Sequence, residues 1–452
     1  MRETEQMHIV VPSRARASPA GSAVLTERRT RFGLAVILLA GLLVRLPFAF
    51  SDAGVSPDMG TFVGWARTIA DHGLVSLTDG AAVVVYPPLS MLLVGVAGAI
   101  ATWWGAVSQA VDAAVVPLIK LPPIAADLGL AWLVAGMLRG RSDRVRLGAA
   151  ALVVFNPALW YLSAVWGQVD SVYLFFSVAA FAAIGRGAVA RSVTSFGLAL
   201  ACKIQPLMLA PLLAVAWLRA RRPRQLSLVA AATFALLLVL LLPWLVGGGL
   251  GRYLGNLWGV TPTLDDSATN AWFLLRIGNV DQLAHASEVF LGLPANILAD
   301  VAVVGVMALA AGAAWLRPER VGLALPATVL AMAPYLLLTG MRERYLLPAI
   351  PMSLLLAARW DGAPRVRGAW LVFAGITFTE AVNLLAFASP DRSLWSGNSL
   401  DQVSGSFARP VELLCLVGAA VSSLILAWLL VVLVWRVAPR RHAQAGLAVP
   451  AQ

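Results

Sequence analysis

"RARRPRQLSLVAAATFALLLVLLLPWLV", residues 219–246, sets four arginines against 22 residues without a single charge. A helix needs roughly 17 to 25 mostly apolar residues to cross the hydrocarbon of a bilayer. In lipid the backbone has no hydrogen-bond partner but itself, so such a run inserts as a helix. The arginine-rich flank marks its cytoplasmic end under the positive-inside rule.

The same reading extends outward to 32–50, 296–316 and 411–435. The chain is 60% apolar and 13% charged, with a mean hydropathy of +0.80. Charged residues approach about a quarter of a soluble domain. The composition predicts an all-α, polytopic transmembrane protein with about 11 to 13 membrane helices. A net charge of +11 suits a nucleic-acid surface, but the arginines gather at the ends of apolar runs, as in "RVAPRRH" (436–442), so they read as membrane anchors.

Residues 1–31 are expected to be a disordered, basic cytoplasmic tail, 32–436 the membrane domain, and 437–452 a second cytoplasmic tail. No cleavage signal makes the start an ordinary secretory peptide. Cys202 and Cys415 lie inside apolar runs, which disfavours a disulfide, and no Cys/His spacing resembles a zinc site.

Using each arginine cluster as a cytoplasmic marker places 51–88 outside as the first outer loop and sends 147–165 outward. Two short pieces, 192–202 and 206–218, then meet at "KIQP", with Lys203 and Gln205 at an outer apex. "MRERY" (341–345) also falls outside, and both termini fall inside. One segment breaks the alternation. An odd number of crossings must separate "YPP" from Arg139, yet 89–107 and 116–138 are both apolar, so 89–107 reads as a shallow or re-entrant helix.

The remaining polar residues collect at the outer ends. From Asp58, Phe62, Trp65 and Ile69 recur at helical spacing, predicting an amphipathic helix at the membrane surface. Asp58 reads either as that helix's N-terminal acid or as a catalytic base. Asp170 follows "WGQ" just beyond a span. Only two of the 34 basic residues are lysines, Lys120 in "KLPP" and Lys203 in "KIQP". An ammonium is a compact charge suited to a phosphate oxygen; snorkelling at the interface is the plain alternative. Arg342, Glu343, Arg344 and Tyr345 sit at an outer helix end where arginine is disfavoured, so they form either an internal Arg/Glu pair or a receptor for an anionic head group. Trp272 in "TNAWFLL" reads as a surface residue, with Asp265 and Asp266 in the same loop. Asp127 and Glu380 fall within spans, where a charge costs about 2.5 to 3.5 kcal/mol on insertion scales and so demands a partner or a function.

An acid in the first outer loop with its aromatic helix ("PDMGTFVGWARTIADHGL", 57–74) is followed in order by "YPPL" (86–89), "KLPP", "FNPALWYLSAVWGQVDS" (155–171), "KIQP" and "MRERYLLP" (341–348). This series resembles the GT-C superfamily of integral membrane glycosyltransferases over roughly residues 32–350. It is nearest to prokaryotic members related to the GPI mannosyltransferases and to the dolichyl-phosphate-glucose or mannose-dependent enzymes. The resemblance implies a GT-C-like fold, a polyprenyl-phosphate hexose donor (mannose or glucose), an active site on the extracytoplasmic face and inversion at the anomeric carbon.

By position it makes Asp58 the base and Asp170 a second catalytic acid. Tyr86, Lys120, Gln168, Lys203, Gln205, Arg342, Glu343, Arg344 and Tyr345 become the substrate-binding candidates. Two departures matter. The family's "MHERY" reads Met-Arg-Glu-Arg-Tyr here, and no "DE" or "DD" pair follows Asp58, so no metal or other cofactor is assigned, although a divalent ion is compatible. The acceptor is an envelope glycan, lipid or protein. A lipid-linked sugar flippase or secondary transporter is the alternative from another class.

Overall fold

The computed structural model describes residues 20–51, 57–78, 84–108, 111–257, 268–276, 287, 289–359, 366–387 and 408–438. Residues 1–19 of the expected tail 1–31, residues 439–452 of the expected tail 437–452, and Asp265 and Asp266 lie outside the described residues.

The chain runs through α1 (Ala20–Ala49), α2 (Pro57–His72), α3 (Pro88–Ser108), α4 (Val111–Met137) and α5 (Asp143–Val154) to the single turn α6 (Pro157–Trp160). It continues through α7 (Asp170–Ile184), α8 (Val189–Cys202), α9 (Ala210–Arg219), α10 (Pro223–Val246), α11 (Leu250–Leu257) and α12 (Ala271–Arg276). A small antiparallel hairpin, β1 (Val289–Phe290) with β2 (Leu293–Pro294), precedes α13 (Ala295–Leu316) and α14 (Pro318–Val321). The chain ends with α15 (Ala324–Leu337), α16 (Ala349–Arg359), α17 (Val366–Phe387) and α18 (Ala408–Val437).

The protein is a helical membrane protein. Seven of the described helices are long and apolar enough to cross a bilayer, and eight if the bent pair α5–α6 is one span; five more apolar helices have 10–17 residues. Their outward faces carry large apolar side chains such as Leu228, Phe234 and Val239 on α10 and Leu424 and Val431 on α18. Water does not tolerate apolar surface on that scale; lipid does.

The helix ends sort into two poles. At one, Arg146 meets Glu27 at 3.1 Å, Arg219 donates to the Trp315 carbonyl at 2.8 Å, and Arg436 donates to the Arg320 carbonyl at 2.6 Å. At the other, the starts of α2 and α7 and the ends of α8 and α15 converge around Asp58, Asp170, Lys203 and Arg344. Between the poles Arg45 and Asp127, both fully buried, pair at 3.1 Å, and Ser163 donates to the same carboxylate at 2.6 Å. Asp127 thus has the partner that its position in a span demanded.

Four features depart from the sequence reading. The helix α1 begins at Ala20, not after residue 31, and within it Glu27 pairs with Arg31 and Arg146; the spanning part is Glu27–Ala49. The expected straight span 147–165 is bent by 42° between α5 and α6. The apolar face of α2 is covered by protein: Met59, Phe62, Trp65 and Ala66 are buried against Tyr86 and α3. A Cβ on Gly98 would lie 2.1 Å from the Ala66 carbonyl oxygen, so the two backbones touch. Trp272 is buried rather than superficial, its indole donating to the Leu337 carbonyl at 2.7 Å.

The helix α3 has the length and composition of a span, but its placement is unusual. Lys120 anchors α4 to the Phe48 carbonyl at 2.9 Å, and from there α4 descends to Arg139. Val115, Val116 and Ile119, in the turns before Lys120, pack with Met59, Phe62 and Met91 at the pole of Asp58. Only two residues separate α3 from α4. Both ends of α3 therefore lie at that pole.

Candidate functional site

The quoted "NPALWYLSAVWGQVD" stretch builds one wall of the site. Pro157 cannot donate, so it ends α5; Asn156 caps the next turn by accepting from the Ala158 and Leu159 backbone N–H groups at 3.1 and 3.3 Å. Its amide nitrogen also reaches Thr377 Oγ1 at 3.2 Å. Residues Tyr161–Trp166 then widen into a π-helical turn, a form concentrated at functional sites. The turn closes at Gly167 with φ +81°, a left-handed conformation that favours glycine. A Cβ there would also fall 2.0 Å from Met59 Cε and 3.0 Å from Lys120 Cγ. This reversal directs Gln168 and Asp170 toward the first outer loop.

Gln168 is fully buried and links two elements. Its Nε2 donates to Asp58 Oδ2 at 2.6 Å, and its Oε1 accepts from the Tyr86 hydroxyl at 3.0 Å. Tyr86 is in turn held by the Tyr253 hydroxyl, which donates to its carbonyl at 2.7 Å, and Tyr253 stacks on Trp244 at 4.2 Å. Both contacts of Asp58 to described residues fall on Oδ2, the second being Arg344 Nη1 at 3.7 Å. With 33% of its side chain exposed, Asp58 is the open end of the group.

Asp170 is the closed end. It sits in the first turn of α7, where the helix dipole favours an anion, and is fully buried. Lys203 Nζ donates to its Oδ1 at 2.6 Å, while Arg344 Nε stands 3.9 Å from its Oδ2, too far for a hydrogen bond. Three tyrosine rings surround the ammonium, Tyr345 at 5.2 Å, Tyr86 at 5.6 Å and Tyr173 at 5.7 Å. Cation–π attraction replaces part of the lost hydration. Burial still pushes the Lys203 ammonium down to about 8, against the opposing pull of Asp170. Arg344 pairs with its neighbour Glu343 and lies over the Trp166 ring at 5.4 Å. Burial raises the Glu343 carboxyl, with Arg344 acting against it, and burial likewise raises the Tyr86 phenol.

The structure therefore gathers Asp58, Tyr86, Gln168, Asp170, Lys203, Glu343, Arg344 and Tyr345 into one network. Three candidates lie at its margin. Gln205 is half-buried, and its Oε1 meets no described hydrogen-bond donor. Arg342 is half-buried beside the network, its carbonyl accepting from the Tyr345 backbone at 3.1 Å. Lys120 is fully buried with its ammonium on the Phe48 carbonyl and only its aliphatic stem near Gly167, so it supports the wall instead of facing the carboxylates.

Sequence reasoning missed Trp166 and Tyr173. The signal was available: Tyr173 lies three residues after Asp170 on the same helical face, and Trp166 immediately precedes the glycine turn. Among the described residues no three His, Cys, Asp or Glu side chains are grouped to hold a metal ion. Asp58, Asp170 and Glu343 each already face Lys203 or Arg344.

The fold and site together define a helical membrane protein with a charged, aromatic-lined network at one pole. No protein-family model matches the chain, and no curated protein matches it at a significant level.

Proposed function

We propose that the protein transfers a hexose from a polyprenyl-phosphate-linked donor to a hydroxyl of an envelope glycan, lipid or protein, with inversion. The observation that supports this best is the asymmetry of the two acids: Asp58 is open and held by an amide, while Asp170 is sealed against Lys203.

One open carboxylate suits the chemistry. As the acceptor oxygen forms its bond to the anomeric carbon, Asp58 takes the hydroxyl proton. The bond between that carbon and the phosphate oxygen breaks with its electron pair leaving on the phosphate. A phosphate is a weak base and needs charge stabilisation more than a proton. Arg344, with Arg342 beside it, supplies that charge. Lys203 acts indirectly, by holding Asp170 and the arginine face in place.

The arginine pole is the cytoplasmic side in this reading, by the positive-inside rule, so the site faces the opposite side, where a lipid-anchored donor reaches it. With α3 shallow, α1, α4, the α5–α6 pair, α7, α8, α9, α10, α13, α15, α16, α17 and α18 make twelve crossings. An even number returns both termini to the cytoplasm.

The test is transfer by purified protein in nanodiscs, offered radiolabelled polyprenyl-phosphate mannose or glucose with envelope lipid extract as acceptor. Label moving to the acceptor supports the proposal. Label that stays on the donor but crosses the bilayer of a sealed liposome replaces it with a flippase.

A further inference from the structure

Glu380 on α17 is fully buried beside Asn383, and neither of its carboxylate oxygens makes a hydrogen bond of good geometry to a described residue. Burying a carboxylate without donors is strongly unfavourable, so such a group awaits a ligand or water. Its charge bears on Asp170, Arg344 and Tyr173, which joins it to the network above.

The same region holds further buried atoms without described partners. The Tyr173 hydroxyl, Trp166 Nε1 and Asn270 Nδ2 are donors and the two Glu380 oxygens are acceptors, while Arg344 Nε and Asp170 Oδ2 face each other at 3.9 Å without a hydrogen bond. Asn270 is placed by its neighbour Thr269, whose backbone donates to Asn383 Oδ1 at 3.0 Å, and Asn383 lies three residues from Glu380 on α17. A metal ion would call for acceptors alone, a bare anion for donors alone, and an apolar group for neither. A ring bearing several hydroxyls, each giving one hydrogen bond and accepting others, matches the mixture.

We propose that Glu380, Tyr173 and Asn270 form the subsite that binds the hydroxyls of the donor's hexose. This rests on the transfer reading, since it names what that site recognises. Glu380 accepts hydrogen bonds from the sugar hydroxyls, Tyr173 and Asn270 donate to hydroxyl oxygens, and the phosphate lies toward Arg344.

Equilibrium binding tests it without requiring turnover. Detergent-purified protein is titrated, by its tryptophan fluorescence, with a short-chain polyprenyl phosphate, with its mannosyl and glucosyl esters, and with monodeoxy forms of each. Wild type should bind a hexosyl ester at least about tenfold tighter than the bare phosphate, as loss of one or two hydrogen bonds to a charged group implies. In Glu380→Ala that advantage should fall below about twofold, and one monodeoxy ester should lose no further affinity. Tyr173→Phe removes a hydroxyl with no described partner, so it keeps the fold and should lose about threefold even if Glu380→Ala fails to fold. An undiminished advantage in Tyr173→Phe and in any folded Glu380→Ala, or no advantage in wild type, overturns the subsite. Hexose-dependent binding that Tyr173→Phe weakens, in a protein that transfers no label, keeps the subsite and rejects the transferase.

Discussion

Lys203 Nζ lies 2.6 Å from Asp170 Oδ1, across 33 residues of sequence, and neither side chain is more than 6% exposed. The network's lysine is thereby committed to the acid that solvent does not reach, which leaves Asp58, with 33% of its side chain exposed, as the more open of the two.

Breaking a buried pair by removing one partner typically costs about 3 to 5 kcal/mol, because the other charge is left uncompensated. Lys203→Met should therefore lose stability of that order in thermal unfolding. The double variant Lys203→Met with Asp170→Asn should recover most of it. A single variant as stable as wild type would show that the pair does not hold the fold.

The pH dependence follows from the Lys203 ammonium, which burial pushes down to about 8 from an ordinary value of 10.5. Below pH 8 folded and unfolded chains both hold the proton. Between about 8 and 10.5 the unfolded chain holds it more, so this group makes stability rise with pH across that window. Unfolding at a series of pH values should show the rise in wild type and its loss in Lys203→Met.

Gly167→Ala imposes a Cβ at φ +81°, 2.0 Å from Met59 Cε. Strain and overpacking together should cost about 2 to 4 kcal/mol and displace Gln168 and Asp170. Gly64→Ala is the control: it lies in α2 with nothing within 4 Å of the new Cβ, and should gain about 0.5 to 1 kcal/mol. Melting curves of the two variants separate a requirement for this glycine from general sensitivity.

Gln168→Glu replaces the amide that donates to Asp58 with a second carboxylate at the same 2.6 Å. Two acids that close share a proton, so the acidic limb of kcat/KM should move up by about one pH unit or more. An unchanged pH profile at full activity would separate Asp58 from the chemistry.

Much of this network was legible because charge is scarce in so apolar a chain, and each charge that mattered stood beside a backbone break. Asp58 follows Pro57, Asp170 follows Gly167, and Lys203 precedes Pro206. The partnerships were not legible. Which acid faces Lys203 depends on how α7 packs on α8, and the sequence reading gave that lysine to a phosphate. Lys120 looked equivalent to Lys203, yet only the fold shows that its ammonium ends on the Phe48 carbonyl. Periodicity likewise said nothing of the π-helical turn at Tyr161–Trp166, since an apolar run reads alike in either helix.

The most direct test of the central claim is the rate of hexose transfer by Asp58→Asn beside wild type, in the same nanodiscs with the same labelled donor. The substitution keeps the size and polarity of the side chain and removes its basicity. The account predicts a loss of about 10²- to 10⁴-fold in kcat, the range for a general base, with donor binding nearly unchanged. Transfer by Asp58→Asn at the wild-type rate would contradict it.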